Sequence, residues 1–272
     1  MKRRDLEKVV AKRLAHIEKF SKQIPGHFAA EDIHELRVEF KKLRAFARLL
    51  QLEKGGGHLQ IPHKLRSLYH AAGETRDIQL FLGQLHKVSE KHPLHTFIKH
   101  WQHELFEAKE DLVKEIEKTD IKKVEENIRH HLPDTLQEST IEKFVHRKVA
   151  AIHIILMAAE QDKDLHSIRK NLKDLIYEIR IFKADLNIAF PVKAWRSEKQ
   201  MNEMTTRLGD FNDQCILLSF LQEDYSDKIP AEEHSTVENW KQSIIQQKEK
   251  VKDYLLQQVQ KLHLVHDFQV TA

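Results

Sequence analysis

Residue types that interrupt or cross-link a chain are scarce in this sequence. Cys215 is the only cysteine among 272 residues, which excludes an intrachain disulfide and a cysteine-based zinc site. A single thiol also fits a reducing compartment. Seven glycines and six prolines are few for this length, whereas good helix formers such as Leu, Lys and Glu are abundant. These shortages favour a helical protein.

Two further absences limit the fold class and the cellular location that we expect. No segment approaches the roughly 20 apolar residues of a membrane span. None shows the apolar–polar alternation between turn residues that is typical of a strand. The first residues, Met1–Asp5, lead into an amphipathic helix and not into an apolar signal core. We therefore expect an all-α protein that is cytoplasmic and has no membrane partner.

The chain also has no large excess of positive or of negative charge. The formal net charge is only +3, although charged residues make up 32% of the chain. Proteins that bind nucleic acid in general are usually more basic, so we expect no specific nucleic acid as a partner. Positive charge matters here by its location along the chain.

Residues 34–50 carry the most distinctive pattern. On a helix at 100° per residue, five cationic side chains fall within an arc of about 80° and extend over roughly 21 Å. This set, the first stripe, consists of His34, Arg37, Lys41, Arg44 and Arg48. Like charges at this spacing repel and cost roughly 0.2–0.5 kcal/mol per close pair. The pattern therefore indicates a polyanion that lies along the stripe.

The same arrangement occurs a second time in the other half of the chain. The matching cations, the second stripe, are His166, Arg169, Lys173 and Arg180. Lys170 adds a charge near the edge of this stripe, and the Tyr177 hydroxyl could hydrogen-bond a phosphate. A single charged helix face is usually solvated surface, but the repetition argues against that interpretation.

Other segments repeat with nearly the same spacing. Gly73–Asp77 corresponds to Gly209–Asp213. We expect a duplication within one domain, in which residues 1–133 and 134–272 each form a four-helix bundle. The expected helices include those at about residues 3–22, 94–118, 139–161 and 231–262, and a further helix after Pro191. We expect the first helix to break at Pro25–Gly26 and the two halves to join at 119–138. The last ten residues are expected to form a C-terminal tail.

Two halves related by a pseudo-twofold axis would let the stripes line one basic channel. Arg13 in the first helix corresponds to Lys148 in the fifth. Both stand among apolar positions, and buried charge is costly without a partner. With Arg76, we expect these two residues to contribute cations to the channel, where Arg offers bidentate donors to phosphate oxygens.

Histidine, aspartate and glycine would support such a channel. His34 and His166 could donate to the same oxygens, with affinity rising as pH falls. Asp77 and Asp213 would either orient the stripe cations or cap helices. Gly73 lies inside a helical pattern, where glycine costs about 1 kcal/mol, so we expect it to permit close helix contact or a kink.

The pattern His-x-x-Arg-x-x-x-Lys-x-x-Arg lies on an amphipathic helix, is complete in the first half and is repeated without its last Arg in the second. Each copy is followed by Gly-x-x-x-Asp, and this doubled pattern resembles the conserved histidine α-helical domain (CHAD) family. The resemblance covers nearly the whole chain. It implies an all-helical pair of four-helix bundles that binds inorganic polyphosphate in a basic central channel, without catalysis. The positions that match the family's binding motif are His34, Arg37, Lys41, Arg44, Arg48, His166, Arg169, Lys173 and Arg180.

The second half departs from this motif. Ile176 and Asn212 stand where the first half has Arg44 and Arg76, so the second stripe has fewer cations. Some family members are fused to a triphosphate-processing domain. Here we expect polyphosphate-metabolising enzymes to be partners in trans, and the protein to act at polyphosphate granules.

Three other functions compete with this one. A phosphoryl-transfer enzyme needs metal-binding carboxylates among its cations; the stripes carry none, so we expect no catalysis and no cofactor. A histidine-based metal site is an alternative because the chain has 19 histidines, although none has the His-Glu-x-x-His spacing. RNA or nucleotides are alternative polyanions, but bases normally stack on exposed aromatic residues, which the stripes lack apart from Tyr177.

Overall fold

The computed structural model describes residues 1–190, 197–222, 225 and 227–263, with side chains up to residue 258. Within these ranges the chain forms helices and no strand, which confirms the all-α prediction. In chain order the helices are α1 (Arg3–His27), α2 (Ala30–Leu50), α3 (His63–Ser89), α4 (His95–Lys118), α5 (Ile121–His130), α6 (Glu138–Met157), α7 (Asp162–Asp185), α8 (Glu198–Phe220) and α9 (Ala231–His263).

The described residues belong to two compact units. Unit 1 comprises residues 1–144, 177–193 and 225–236, and unit 2 comprises 145–176, 194–224 and 237–272. Helices α6, α7 and α9 each contribute residues to both units. The units therefore follow tertiary contacts and do not coincide with the expected repeat boundary at residue 133, and the duplication itself stays a prediction.

Unit 1 is built on consecutive helix pairs. α1 packs on α2, α2 on α3 and α3 on α4, and α5 packs against α1. The apolar residues that recur every three or four positions on these helices are buried. An aromatic cluster fills one part of this core: the Phe81 and Trp101 ring centroids are 4.7 Å apart, and those of Phe97 and Tyr225 are 4.8 Å apart.

Two predicted boundaries in unit 1 are wrong. The expected join at 119–138 contains α5, which Asp120 caps by accepting hydrogen bonds from the amides of Lys122 and Lys123. The expected break at Pro25–Gly26 is also displaced, because α1 continues to His27 and ends at Phe28 in the left-handed conformation. A proline in the last turn removes only one intrahelical hydrogen bond, so the helix can pass through it.

In unit 2 the start of α7 is fixed to α9 by charge. The Asp162 carboxylate lies 2.7 Å from Lys248 Nζ and 3.0 Å from Lys252 Nζ. Burial and this same carboxylate raise the pKa of the Cys215 thiol to about 11, so the cysteine stays protonated. α8 begins with a capping box between Ser197 and Gln200.

Some expectations fall outside the described residues. Pro191, where we expected a helix to begin, and the C-terminal tail lie there. Within the described ranges, no helix combines the length and the apolar character that crossing a bilayer requires.

The first turn of α4 depends on a carboxylate from α9. Leu94, the residue before α4, has no side chain that can cap the helix. Instead the buried Glu233 accepts hydrogen bonds from the Thr96 amide at 3.0 Å and from the Phe97 amide at 2.9 Å. This contact joins two segments of unit 1 that are far apart in the sequence.

Replacing Glu233 should therefore destabilise the protein. We expect Glu233→Ala to lower the free energy of unfolding by about 1–3 kcal/mol, because two buried amides lose a charged acceptor. Urea unfolding followed by circular dichroism measures this difference. The control is Glu232→Ala at the exposed neighbouring position, which should change stability by less than about 0.5 kcal/mol. Equal effects of the two variants would contradict the capping role.

Candidate functional site

The first stripe lies on α2 in unit 1. One face of α2 is buried through Leu36, Phe40 and Leu43, which orients the helix and turns the stripe away from the core. His34 is exposed, whereas the other four stripe residues are half-buried. The cations thus stand at the edge of the packed helices and not on long, fully solvated side chains.

Glycine on α3 makes room for the first stripe arginine. The Arg37 guanidinium lies directly against Gly73, and a Cβ at this position would overlap Arg37 Nη1. This contact explains why a glycine, normally unfavourable in a helix, stands in the middle of α3. We expected Gly73 to permit close helix contact or a kink, whereas the group that lies against it is the end of an arginine side chain.

An aromatic stack lies beneath two of the stripe arginines. Tyr69 on α3 stacks on the buried Phe40 ring, with centroids 4.2 Å apart and an interplanar angle of 17°. The Arg37 guanidinium carbon lies 4.9 Å from the Tyr69 centroid, and that of Arg44 lies 5.4 Å from it. Both distances are within the range of cation–π attraction. One tyrosine therefore holds two cations that are about two turns apart on α2.

These arginines have no carboxylate partner among the described residues. Arg37, Arg44 and Arg76 are half-buried, and none forms an ion pair within the described part of the chain. Arg44 Nε is buried without a hydrogen-bond acceptor. Withdrawing a guanidinium from water is costly unless a negative group is supplied. The ion-paired Arg13 also has a buried Nε without an acceptor, so what distinguishes these three arginines is that no described carboxylate pairs with them.

Burial and neighbouring charges shift the pKa of His34, the first residue of the first stripe. Partial burial is the main cause that lowers the pKa of His34 below its ordinary value. The charges of Arg76 and Lys41 lower this pKa further, whereas Glu35 and Glu31 act in the opposite direction. His34, Arg76 and Lys41 therefore lie close enough to interact electrostatically, as expected of one site.

The second stripe is divided between the two units. His166, Arg169 and Lys173 belong to unit 2, whereas Arg180, near the end of α7, belongs to unit 1. The first three are half-buried and Arg180 is exposed. The expectation that both stripes line one channel stays a prediction.

In unit 2 an arginine again lies against a glycine. A Cβ at Gly209 on α8 would be 3.5 Å from Arg169 Nη2, which is ordinary van der Waals contact. Arg169 Nε is buried without an acceptor, and Arg169 forms no ion pair with a described residue. The pair Arg169–Gly209 thus repeats, in the second half of the chain, the pair Arg37–Gly73 of the first half.

The second histidine has a defined hydrogen bond. His166 Nδ1 lies 2.7 Å from Asn212 Oδ1, so the Nδ1–H form of the ring donates to the amide oxygen. Asn212 occupies the position that Arg76 has in the first half. Unit 2 therefore replaces the cation near its histidine with a neutral acceptor.

Arg13, predicted to face the anion, is part of a buried charge network instead. Its Nη1 lies 2.8 Å from Glu39 Oε2, and its Nη2 lies 2.8 Å from Asp185 Oδ1. Lys42 and Lys12 add further contacts to these carboxylates, 2.6 Å from Glu39 and 2.7 Å from Asp185. The charge of Arg13 is balanced within unit 1, and its side chain is only 5% exposed. We therefore leave Arg13 out of the ligand set.

Lys148 has the corresponding arrangement in unit 2. Its Nζ lies 2.6 Å from Asp174 Oδ2, and the Asp174 side chain is 6% exposed. Like Arg13, this cation pairs with a buried carboxylate on the stripe helix that follows it. We leave Lys148 out of the ligand set for the same reason.

The remaining predicted residues differ in exposure. Tyr177 is 6% exposed, so its ring belongs to the core of unit 1. Lys170 and Asp213 are exposed, and Asp77 is half-buried.

Within the described ranges, no group of three or more His, Cys, Asp or Glu side chains has the arrangement of a metal site.

Sequence reasoning missed Tyr69 and the carboxylate Glu39 as part of this region. For Glu39 a signal was present, because it stands three residues after Leu36 and four before Leu43, on the buried face of α2. For Tyr69 the spacing indicated only that it shares a helix face with Arg76, since its role depends on which helix packs against α2. Only the fold shows that one ring supports two arginines.

These features define an all-α protein in which Arg37 and Arg44 on α2, and Arg169 on α7, are half-buried and form no ion pair with a described residue. The model of the CHAD domain family matches residues 8–222, and the chain belongs to the CHAD domain family. The crystal structure of the CHAD domain from the plant Ricinus communis is similar, with a TM-score of 0.71 and 14% identity over 97% of this chain and 92% of that chain. At this identity the similarity shows the shared fold. No curated protein matches the chain.

The surroundings of His34 make a prediction about its titration. Arg76→Gln should raise the pKa of His34, because a cation that disfavours the protonated ring is removed. Glu35→Gln should lower it, because a carboxylate that favours protonation is removed. Proton NMR titration of the His34 ring measures both shifts. Shifts of the same sign in the two variants would show that the assigned neighbours are wrong.

Proposed function

We propose that this protein binds inorganic polyphosphate through its two stripes, without catalysis. Membership of the CHAD domain family supports a common all-helical scaffold. The stripes supply repeated cations along two helices, which suits a ligand with repeated negative charges. Inorganic polyphosphate is such a ligand, and it has no bases or sugars that need recognition.

The unpaired guanidiniums carry the proposal. Arg37 and Arg44 in unit 1, and Arg169 in unit 2, are half-buried and form no ion pair with a described residue. Other cations, in contrast, are paired: the buried Arg13 contacts Glu39 and Asp185, and the half-buried Lys148 contacts Asp174. A protein that neutralises some buried cations and leaves others unpaired keeps the latter available for an external anion.

The aromatic residues near the stripes favour a bare phosphate chain over RNA. Bases of single-stranded nucleic acid stack on exposed aromatic faces. Tyr177 is buried, and Tyr69 stacks on Phe40 and lies within cation–π distance of two guanidiniums. Neither ring offers the open face that a base requires.

Three carboxylates on the two stripe helices are engaged as counterions, which supports binding without phosphoryl transfer. Glu39 and Asp185 are held by Arg13, and Asp174 is held by Lys148. Phosphoryl transfer requires carboxylates that hold metal ions against the phosphates. We further propose a cytoplasmic location at polyphosphate granules, with polyphosphate-metabolising enzymes as partners in trans.

Competition binding tests the choice of ligand. Isothermal titration with long-chain polyphosphate, pyrophosphate, ATP and RNA, at matched phosphate concentration, should give the highest affinity for long-chain polyphosphate. This affinity should fall steeply with salt, by analogy with counterion release from other polyanions. Equal or tighter binding of RNA would overturn the proposal, as would release of orthophosphate from the bound chain.

Charge reversal within the stripes tests the binding residues. The double variant Lys41→Glu and Lys173→Glu should abolish polyphosphate binding while leaving helicity intact by circular dichroism. The control is Lys99→Glu with Lys250→Glu, which makes the same change in net charge at exposed lysines outside the stripes. The control should retain binding within about threefold, since screened charges at a distance contribute little. Equal losses in both variants would show that only overall charge matters.

The two glycine contacts provide a second, more local test. Gly73→Ala should displace the Arg37 guanidinium and weaken polyphosphate binding about tenfold, the value of one charge-assisted hydrogen bond. It should not lower stability, because alanine favours the helix by up to about 1 kcal/mol and the displaced atom is the end of a flexible side chain. Gly209→Ala is the matched control, because its Cβ fits in ordinary contact with Arg169; its affinity should stay within about twofold. A larger loss for Gly209→Ala would contradict these contacts.

A further inference from the structure

We propose that Tyr69 is a positioning residue that converts Arg37 and Arg44 into a preorganised two-arginine clamp, and that this makes the unit 1 site the tighter site for short phosphate chains. The inference rests on the proposed function, and it adds that the two stripes are unequal. The clamp consists of Tyr69, Phe40, Arg37 and Arg44, with Gly73 behind Arg37.

Each contact in the clamp restricts a different degree of freedom. Phe40 is 2% exposed, so the stack between Phe40 and Tyr69 fixes the tyrosine ring to the core. Both guanidiniums then lie within 5.4 Å of this one centroid, and Arg44 is also 5.7 Å from the Phe40 centroid. Gly73 gives Arg37 the space to lie close to α3. The two cations are held near a single point although they repel each other.

Contact with an aromatic face leaves arginine able to bind phosphate. The attraction acts between the cation and the face of the ring, whereas the N–H donors of a guanidinium lie in its own plane and match phosphate oxygens bidentately. A side chain held in place beforehand also loses less entropy when it binds. Tyr69 makes no hydrogen bond with a described residue, so its face, and not its hydroxyl, performs this role.

Unit 2 has neither an arginine at the position that matches Arg44 nor an aromatic residue at the position that matches Tyr69. When the stripes are matched at their histidines and the two helical glycines are matched to each other, Ile176 stands where unit 1 has Arg44. Thr205 stands where unit 1 has Tyr69. Ile176 is fully buried and Thr205 is 1% exposed. Arg169 therefore lies against Gly209 with no aromatic ring at the position that matches Tyr69 and no arginine at the position that matches Arg44. A short anion meets two positioned guanidiniums in unit 1 and one in unit 2.

The experiment compares tripolyphosphate binding to full-length variants by isothermal titration. Tyr69→Leu should weaken tripolyphosphate binding about five- to tenfold, the range expected when two cation–π contacts are lost. Tyr69→Phe, which keeps the aromatic face, should stay within about twofold of the wild type. The dependence of affinity on salt should be unchanged in Tyr69→Leu, because no charge is removed, whereas Arg44→Gln should reduce it.

A double-mutant cycle separates positioning from general destabilisation. Tyr69→Leu and Arg44→Gln should be non-additive, because the tyrosine acts through this arginine. Tyr69→Leu and Arg169→Gln should be additive. Should Tyr69→Leu fail to fold, the single variants still decide the matter: Arg44→Gln must cost more tripolyphosphate affinity than Arg169→Gln.

The outcomes distinguish this inference from the proposed function. Wild-type protein that binds neither tripolyphosphate nor long-chain polyphosphate would overturn the proposed function itself. Wild-type binding with unchanged affinity in Tyr69→Leu, or with equal losses for Arg44→Gln and Arg169→Gln, would overturn only the clamp. A loss in Tyr69→Phe as large as in Tyr69→Leu would assign the effect to the hydroxyl and also overturn it.

Discussion

The central constraint in this protein is that a guanidinium taken out of water needs a negative partner. Arg13 satisfies this requirement internally, through Glu39 and Asp185. Arg37 and Arg44, on the helix next to it, receive an aromatic ring and no described carboxylate. A ring attracts a cation without neutralising it. The same unit thus contains a structural arginine and two arginines whose charge remains available.

This partition gives the carboxylates a structural role. Glu39 lies on the same helix as the first stripe, yet its oxygens contact Arg13 and Lys42 and not the stripe arginines. In unit 2, Asp174 lies on α7 and contacts Lys148. One buried acid on each stripe helix, Glu39 on α2 and Asp174 on α7, therefore contacts a cation from the preceding helix. Burial is the main cause that lowers the pKa of His34, and the positive charges of Arg76 and Lys41 lower it further.

Much of the helical framework could be predicted from the sequence because helix formation is dominated by local patterns. Apolar spacing located α2, α4 and the start of α9 to within a few residues. The α5 helix escaped prediction although Asp120 caps it and Ile121, Val124 and Ile128 recur at helical spacing, because the segment before Pro133 was expected to be the join between the two halves. The predicted end of α1 is wrong because a proline in the last turn sacrifices only one hydrogen bond and does not stop the helix.

The sequence by itself determined the helical class, the family motif and which cations share a face of α2 and α7, because these follow from composition and from 3.6-residue periodicity. Only the tertiary structure decided which of those cations are neutralised, because Arg13 meets Glu39 and Asp185 from distant segments of the chain. It also placed Tyr69 beneath two arginines and Gly73 behind one of them. Periodicity orders residues along one helix, whereas a counterion or a supporting ring comes from another helix, and the packing of those helices is a property of the whole fold.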